Sequence, residues 1–437
     1  MEPQPTPVPQ AKQVGDVRTR WEWAEPSVWT ERMLTALEQG VKGGVWFSLI
    51  DKVYAPGNLA AAAAKVAANR GAAGVDHVTV EQFSRHAAEN LRDLGEQLRQ
   101  GSYQPQAIRR VWIPKPGSTE ERPLGIPTVR DRVTQAALVN VLGPIFERNF
   151  APHSYGFRPG RGAQQALARV EALLAEGHGY VVDADLKSYF DTIPHDRLLQ
   201  RLRDKVADGR LLRLIESFLQ AGIFEGLQEW TPTAGAPQGA VLSPLLSNVY
   251  LDPLDHLLGN SGFEMVRYAD DFVILCRTRA EAERALEVVR AWVEANGLTL
   301  HPDKTRLVDA NTEAFDFLGY RYDQGRRWVR PKSLAKLKDS VRGKTKRTDG
   351  RSMACIIVDL NRTLKGWFVY FRRCYPIVFS KLDGWIRRRL RSLLRKRQGR
   401  KGISRHGNDE RRWPNAFFAE QGLFSLKAAH AKLVNPH

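Results

Sequence analysis

Cysteine is scarce: Cys276, Cys355 and Cys374 are the only three in 437 residues, widely separated and without a Cys-x-x-Cys pair. That excludes a disulfide framework, a cysteine-rich zinc site and dithiol redox chemistry, and the three are read as reduced, packed thiols. Long apolar runs are lacking too, none approaching the roughly 20 residues that span a bilayer. The opening Met-Glu-Pro-Gln-Pro-Thr-Pro-Val-Pro-Gln has neither a basic start nor an apolar core, so it is not a secretory signal. A cytoplasmic protein, nucleoid-associated and off the membrane, is expected. Acid is short relative to base: 48 Asp and Glu face 66 Lys and Arg, leaving a net charge of +18 and a pI near 9.9. Such an excess favours a polyanionic partner, nucleic acid before anionic membrane.

What is present suits about two to four domains with real cores, and no internal repeat is found. Residues 1–14, rich in Pro and Gln, cannot form a regular hydrogen-bonded element and are expected to flex. Residues 15–57 mix charges with Trp21, Trp23, Trp29, Trp46 and Phe47 and read as a small helical extension. From residue 58 to about 330, strands alternate with long helices. An alanine-rich helix spans Leu59 to Asn69, an amphipathic one Val80 to Gln100, and a strand runs from Arg109 to Lys115. A long helix from Val129 to Arg148 leads to the glycine-rich basic loop His153–Gly162. Lys115, Arg122, Arg158 and Arg161 recur at loop edges, where side chains reach phosphates. From Pro331 the character shifts to basic helices. Residues 381–412 hold thirteen Lys or Arg against three Asp or Glu, including Arg387, Arg388, Arg389, Arg391, Arg395, Lys396 and Arg397. Such a run is often a solvated face, but beside Trp367, Tyr370, Phe371 and Trp385 it better suits a phosphate-binding surface. Residues 413–437 form a short tail with an aromatic cluster. The fold class is α+β.

Two stretches carry clustered acids. Tyr180-Val-Val-Asp-Ala-Asp185 is an apolar strand that places Asp183 and Asp185 on one face. In Val266-Arg-Tyr-Ala-Asp-Asp-Phe-Val-Ile-Leu-Cys276, two apolar strands flank Ala-Asp-Asp, which predicts a hairpin with Asp270 and Asp271 at its tip. An isolated Asp-Asp turn is usually a solvated loop. Here a second acid-bearing strand changes the balance, because converging carboxylates repel one another and a divalent cation relieves that repulsion. Asp185, Asp270 and Asp271 in a basic multi-helix chain suit a two-metal phosphoryl-transfer site, with Mg²⁺ the expected ion. Lys115 and Arg122 are candidates to grip a triphosphate and Lys304 to assist departing pyrophosphate, although each could equally be an ordinary surface cation.

Tyr-Ala-Asp-Asp at 268–271 resembles the signature of reverse transcriptases, and the order of the other blocks resembles bacterial group II intron-encoded proteins. Those blocks are Gly74-Val-Asp76, Ile113–Gly117, Arg122–Pro127, Tyr155–Gly160, Asp185–Phe190, Pro237-Gln-Gly239, Leu242–Asn248 and Phe317-Leu-Gly319. The resemblance spans about Asn58 to the C-terminus and implies a right-hand polymerase. Fingers and palm would occupy residues 58–330, and a thumb or maturase domain residues 331–412. It implies metal ligation by Asp185, Asp270, Asp271 and the carbonyl of Leu186, with Asp183 structural. It makes Phe190 the aromatic gate that a ribose 2′ hydroxyl would strike, and Gln238 a contact to the incoming nucleotide or templating strand. The implied partners are intron RNA, an RNA template with a DNA primer or DNA target, and deoxynucleoside triphosphates. Two departures stand out. Ala240 replaces the glycine common after Pro-Gln-Gly, adding a methyl near the template. The residues after Trp413 hold no His-Asn-His constellation or cysteine pair, which implies the endonuclease-lacking subclass that primes from nicked or replicating DNA. Two alternatives are a splicing-only RNA binder, against which the intact acids argue, and a reverse transcriptase recruited to phage defence or CRISPR spacer acquisition.

Overall fold

The protein is seen in a computed structural model that describes residues 14–114, 121–226, 228–399 and 407–434. The Pro-rich opening expected to flex and the candidate Lys115 lie outside the described residues, apart from Val14. Eleven strands are described: β1 (Ile108–Pro114), β2 (Glu121–Ile126), β3 (Tyr180–Asp185), β4 (Ile223–Glu225), β5 (Gln228–Trp230), β6 (Glu264–Tyr268), β7 (Asp271–Cys276), β8 (Arg306–Asp309), β9 (Phe315–Phe317), β10 (Tyr320–Asp323) and β11 (Arg326–Val329). They form three sheets, ordered β2-β1-β4-β5, β6-β7-β3-β8 and β11-β10-β9.

The sheet β6-β7-β3-β8 organises the rest because both its faces are covered. Along β3 and β7 the side chains alternate as strand geometry requires. Val182, Ala184, Phe272 and Ile274 enter one core, whereas Val181, Val273 and Leu275 enter the other. Each of the buried Val, Leu, Ile and Phe side chains contributes roughly 1.5–3 kcal/mol, and the Ala184 methyl less. The first core is closed by the helices Val129–Glu147, Ser243–Asn260 and Arg279–Ala295. The helix Val129–Glu147 is capped by Thr128, whose hydroxyl accepts from the Asp131 amide.

The N-terminal extension joins this first core rather than standing apart. Trp29 is buried and its Nε1 donates to the carbonyl of Asn140 at 2.9 Å. The Asp208 carboxylate accepts the amides of Leu49 and Ile50 at 2.7 and 2.8 Å. The second core lies between the sheet, the helix Ala163–Ala175, the β9–β11 sheet and the basic helices Pro331–Lys344, Met353–Phe371 and Ile377–Arg397. Trp413, Phe418 and Leu426 are buried in it, so the segment after residue 412 packs as part of the helical body.

Several local expectations change. The helix expected from Val80 to Gln100 divides at His86 into Val80–Arg85 and Ala87–Gln100. Arg122–Pro127, which carries no periodicity of its own, contains most of β2, which pairs with β1 from Arg109↔Ile126 to Pro114↔Glu121. Strands β4, β5 and β8 carry too few residues to show periodicity. Cys276 and Cys374 are buried free thiols as expected, but Cys355 is exposed. Among the described residues no helix is long and apolar enough to cross a membrane.

Candidate active site

The register of the central sheet brings the two acid-bearing stretches together. Asp185 ends β3 directly opposite Asp271, the first residue of β7, and Tyr268 pairs with Asp271 across a turn made by Ala269 and Asp270. The expected hairpin is therefore present with its acids at the tip. Asp183 and Asp185 share a face with Asp271. Burial raises the pKa of Asp271 to about 7, with Asp183, Asp270 and Asp185 adding repulsion in that order. Burial likewise raises Asp270, with Asp185 pushing the same way. Asp183 is also raised by burial, against the pull of Arg306, whose Nε stands 3.3 Å away.

The turn is held by a buried network that the sequence does not advertise. Arg267 is fully buried between the apolar residues of β6 and makes a two-point ion pair with Asp255 at 2.7 and 2.5 Å. Burial works against its charge, but Asp255 outweighs that and lifts the guanidinium above its ordinary pKa. Its Nη1 donates to Asn248 Oδ1 at 2.9 Å and to the carbonyl of Ala269 at 2.8 Å, immediately before Asp270. Asn248 in turn donates to the carbonyl of Gly156 at 2.9 Å. Ala269 has a left-handed φ of 61°. Gly156 packs so close beneath it that a Cβ there would lie 2.2 Å from the Ala269 nitrogen, so only glycine fits. A charged residue inside an apolar strand was the one available signal for Arg267.

Around the acids, Lys304 Nζ lies 2.8 Å from Asp185 Oδ2. Leu186 forms an antiparallel bridge to Leu300, and the carbonyl of Asp185 accepts from the His301 amide at 2.7 Å. Phe190 sits just past β3 on the short helix Tyr189–Thr192 and lines a cavity of about 300 Å³ with Gln238, Gly125 and Arg110. The Gly125 amide donates to the Gln238 carbonyl at 2.6 Å, which fixes that wall. Ala240, the departure after Pro-Gln-Gly, is buried. Arg122 is exposed on β2.

The basic residues divide differently from the expectation. Arg158 is buried: it pairs with Glu147 at 2.8 Å and donates to the carbonyls of Ala151 and Ser154 at 2.6 and 2.8 Å. Arg391 is buried as well, donating to the Trp413 carbonyl and Asn415 Oδ1, both at 2.9 Å. Both are internal braces and are corrected as nucleic-acid contacts, because engaged and desolvated guanidinium groups cannot reach a phosphate. Arg389 is bonded to Thr345, Arg395 pairs with Asp409 at 3.2 Å, and Arg397 donates to the carbonyls of Asp349 and Arg351. Arg161 is half-buried and donates to the Pro152 carbonyl, and Arg387 is half-buried. Arg388 and Lys396 are exposed.

The donor set of the acid cluster fits a hard divalent cation, because Asp185, Asp270 and Asp271 offer carboxylate oxygen alone and carry repulsion that such an ion would remove. As placed, no three acidic, histidine or cysteine side chains among the described residues close on a single metal position. The Lys304 ammonium supplies the compensating charge at Asp185.

Comparison with known proteins decides the family. Residues 113–322 match the model of the reverse transcriptase (RNA-dependent DNA polymerase) family, and residues 334–413 match the group II intron, maturase-specific domain. A protein of Escherichia coli K12, YkfC, is 33% identical over 342 residues, covering 69% of this chain and 85% of that protein. The group II intron-encoded protein LtrA of Lactococcus lactis is 39% identical over 189 residues, covering 43% of this chain and 31% of LtrA. The chain belongs to the group II intron-encoded reverse transcriptases. A putative COX1/OXI3 intron 1 protein of Saccharomyces cerevisiae is 26% identical over 314 residues, 59% of this chain and 37% of that one. The match thus spans most of YkfC but about a third of the LtrA and yeast proteins. The reverse transcriptase fold here is α+β, a right-hand polymerase with a helical basic thumb, and its chemistry is RNA-directed DNA synthesis.

The pKa of Asp271 gives a test of its burial. Because the folded value of about 7 lies above the ordinary carboxylate value of 3.8, stability from this group is fully present at acid pH and is lost as pH rises through 7. Ionising it costs the metal-free fold roughly 2–4 kcal/mol. Asp271→Asn therefore melts a few degrees above the parent protein at pH 8, and the gap shrinks as pH falls from 7 toward the ordinary carboxylate value of 3.8, where the two reach parity, with added Mg²⁺ narrowing it at high pH. A melting difference that is flat between those pH values would mean that Asp271 is solvated.

Proposed function

We propose that this reverse transcriptase copies intron RNA into DNA by two-metal-ion nucleotidyl transfer and assists splicing of the same RNA as a maturase, the two activities that retrohoming requires. The observation that carries the reading is the convergence of Asp185, Asp270 and Asp271 at the mouth of one sheet, within a chain that also matches a maturase-specific domain.

Asp185 and Asp270 would be the principal Mg²⁺ ligands, with Asp271 and the carbonyl of Leu186 completing the set. When bound, the ions would lower the pKa of the primer 3′ hydroxyl and neutralise the triphosphate. The protein's own part is placement. The Arg267 brace fixes the Ala269 carbonyl and so the direction of Asp270. Lys304, paired with Asp185, would swing to pair with the departing pyrophosphate instead. Arg122 on its exposed strand, together with Lys115, would hold the triphosphate. Gln238 would face the incoming deoxynucleotide or the templating base. Residues 58–330 would act as fingers and palm and residues 331–412 as thumb and maturase surface. Arg388 and Lys396 are exposed on the basic helix and would take RNA phosphates.

Phe190 lines the cavity that would receive the sugar. Phe190→Ala should raise ribonucleotide incorporation relative to deoxynucleotide by roughly ten- to a hundredfold, the scale of one removed steric contact. Competition between the two triphosphates on one primer measures it, and an unchanged ratio would refute the gate.

The whole proposal is tested by asking whether purified protein both extends a DNA primer on RNA and accelerates splicing of its flanking transcript at near-physiological Mg²⁺. Copying without splicing would remove the maturase half. Absence of both would overturn the proposal.

A further inference from the structure

Phe157 is a residue that the fold places at a cost and does not use. Its backbone has a left-handed φ of 57°, which a bulky L-residue adopts unfavourably and glycine or asparagine adopts readily. Its side chain is 52% exposed, so the hydrophobic effect does not repay that strain.

The strain is imposed from both sides. Before it, the Tyr155 amide donates to the Arg267 carbonyl at 2.8 Å, and Gly156 is wedged beneath Ala269. After it, Arg158 is anchored in the interior by Glu147 and two carbonyls. The ring is turned outward next to the hairpin that carries the acids, its centroid 6.5 Å from that of Tyr268 at an interplanar angle of 43°. Tyr268 is itself only half-buried and lies two residues before Asp270.

We propose that Phe157, with Tyr268, forms a two-ring platform on which the 3′-terminal nucleotide of the primer stacks, so that Phe157 positions the attacking hydroxyl relative to Asp270. The inference rests on the polymerase reading above. The occupant is chosen by location: the nucleotide adjacent to the reacting carboxylates is the primer terminus, and aromatic faces take any base without sequence preference. A residue kept under strain at such a position is what a functional contact predicts.

The test measures binding and chemistry separately on the full chain. Phe157→Gly removes the ring and relieves the backbone, so its melting temperature is retained and misfolding does not confuse the result. Equilibrium binding of an RNA template with an annealed DNA primer, with no nucleotide present, should weaken by about tenfold in Phe157→Gly and recover in Phe157→Tyr. With a primer whose terminal residue lacks its base, the parent protein and Phe157→Gly should bind alike, because the stacking partner is gone from the nucleic acid instead of from the protein. Equal losses with normal and abasic primers, or no loss with either, would overturn the platform. Since binding needs no catalysis, a parent protein that binds in this pattern but extends nothing would refute the polymerase reading while leaving the platform standing.

Discussion

Asp270→Asn abolishes extension of a DNA primer on RNA, by roughly a thousandfold or more, while RNA affinity stays close to that of the parent. The substitution is nearly isosteric and changes one thing, the charge available to a divalent cation. The turn is not expected to collapse, because it is fixed by contacts that do not involve the Asp270 carboxylate: the Arg267 donation to the Ala269 carbonyl and the close seating of Gly156. Folding should tolerate the change well, since burial and Asp185 already disfavour the ionised form. Under the proposed function RNA is held by the exposed basic surface, where removing an acid should have little effect. A primer-extension assay alongside a filter-binding assay separates the two, and full extension by the variant would sink the metal assignment.

The acid cluster was legible because strand chemistry is local. Val266 and Phe272–Leu275 are β-formers on either side of Ala-Asp-Asp, and the period of two placed Asp183 and Asp185 on one face without reference to anything distant. The long helices were legible for the same reason, except where one ended early: nothing in Val80–Gln100 marks His86 as a break. The three-residue strand β4 is set by pairing with β1, a partner more than a hundred residues earlier, and β5 only extends the sheet from β4, so neither is long enough to show a period of its own.

Charge was the harder part. An arginine's sequence position says that a guanidinium is present but not what it faces. Arg158 and Arg391 sit in stretches that read as basic surface, yet each turns inward because a partner from elsewhere in the chain is available: Glu147 and the 151–154 carbonyls for one, the segment after residue 412 for the other. The second case depends on the packing of Trp413 and Phe418 into the helical core, which makes the residues after 412 part of the fold. Basic density identified the class of partner, whereas burial decides which cations remain to meet it.

Arg267 shows what that distinction is worth. Arg267→Met should destabilise the protein by roughly 3–5 kcal/mol, because it leaves the Asp255 carboxylate fully buried without its partner. The double variant Arg267→Met with Asp255→Leu removes both charges and should recover most of that stability. It should not recover catalysis. The Ala269 carbonyl and Asn248 still lack the donor that aimed the turn, so Asp270 is held less firmly and primer extension stays reduced by about tenfold or more. Melting temperature and extension rate measured on the three proteins distinguish the roles. If the double variant regains stability and full extension together, Arg267 is only a structural ion pair. If stability returns and extension does not, it positions the acids on which the chemistry depends.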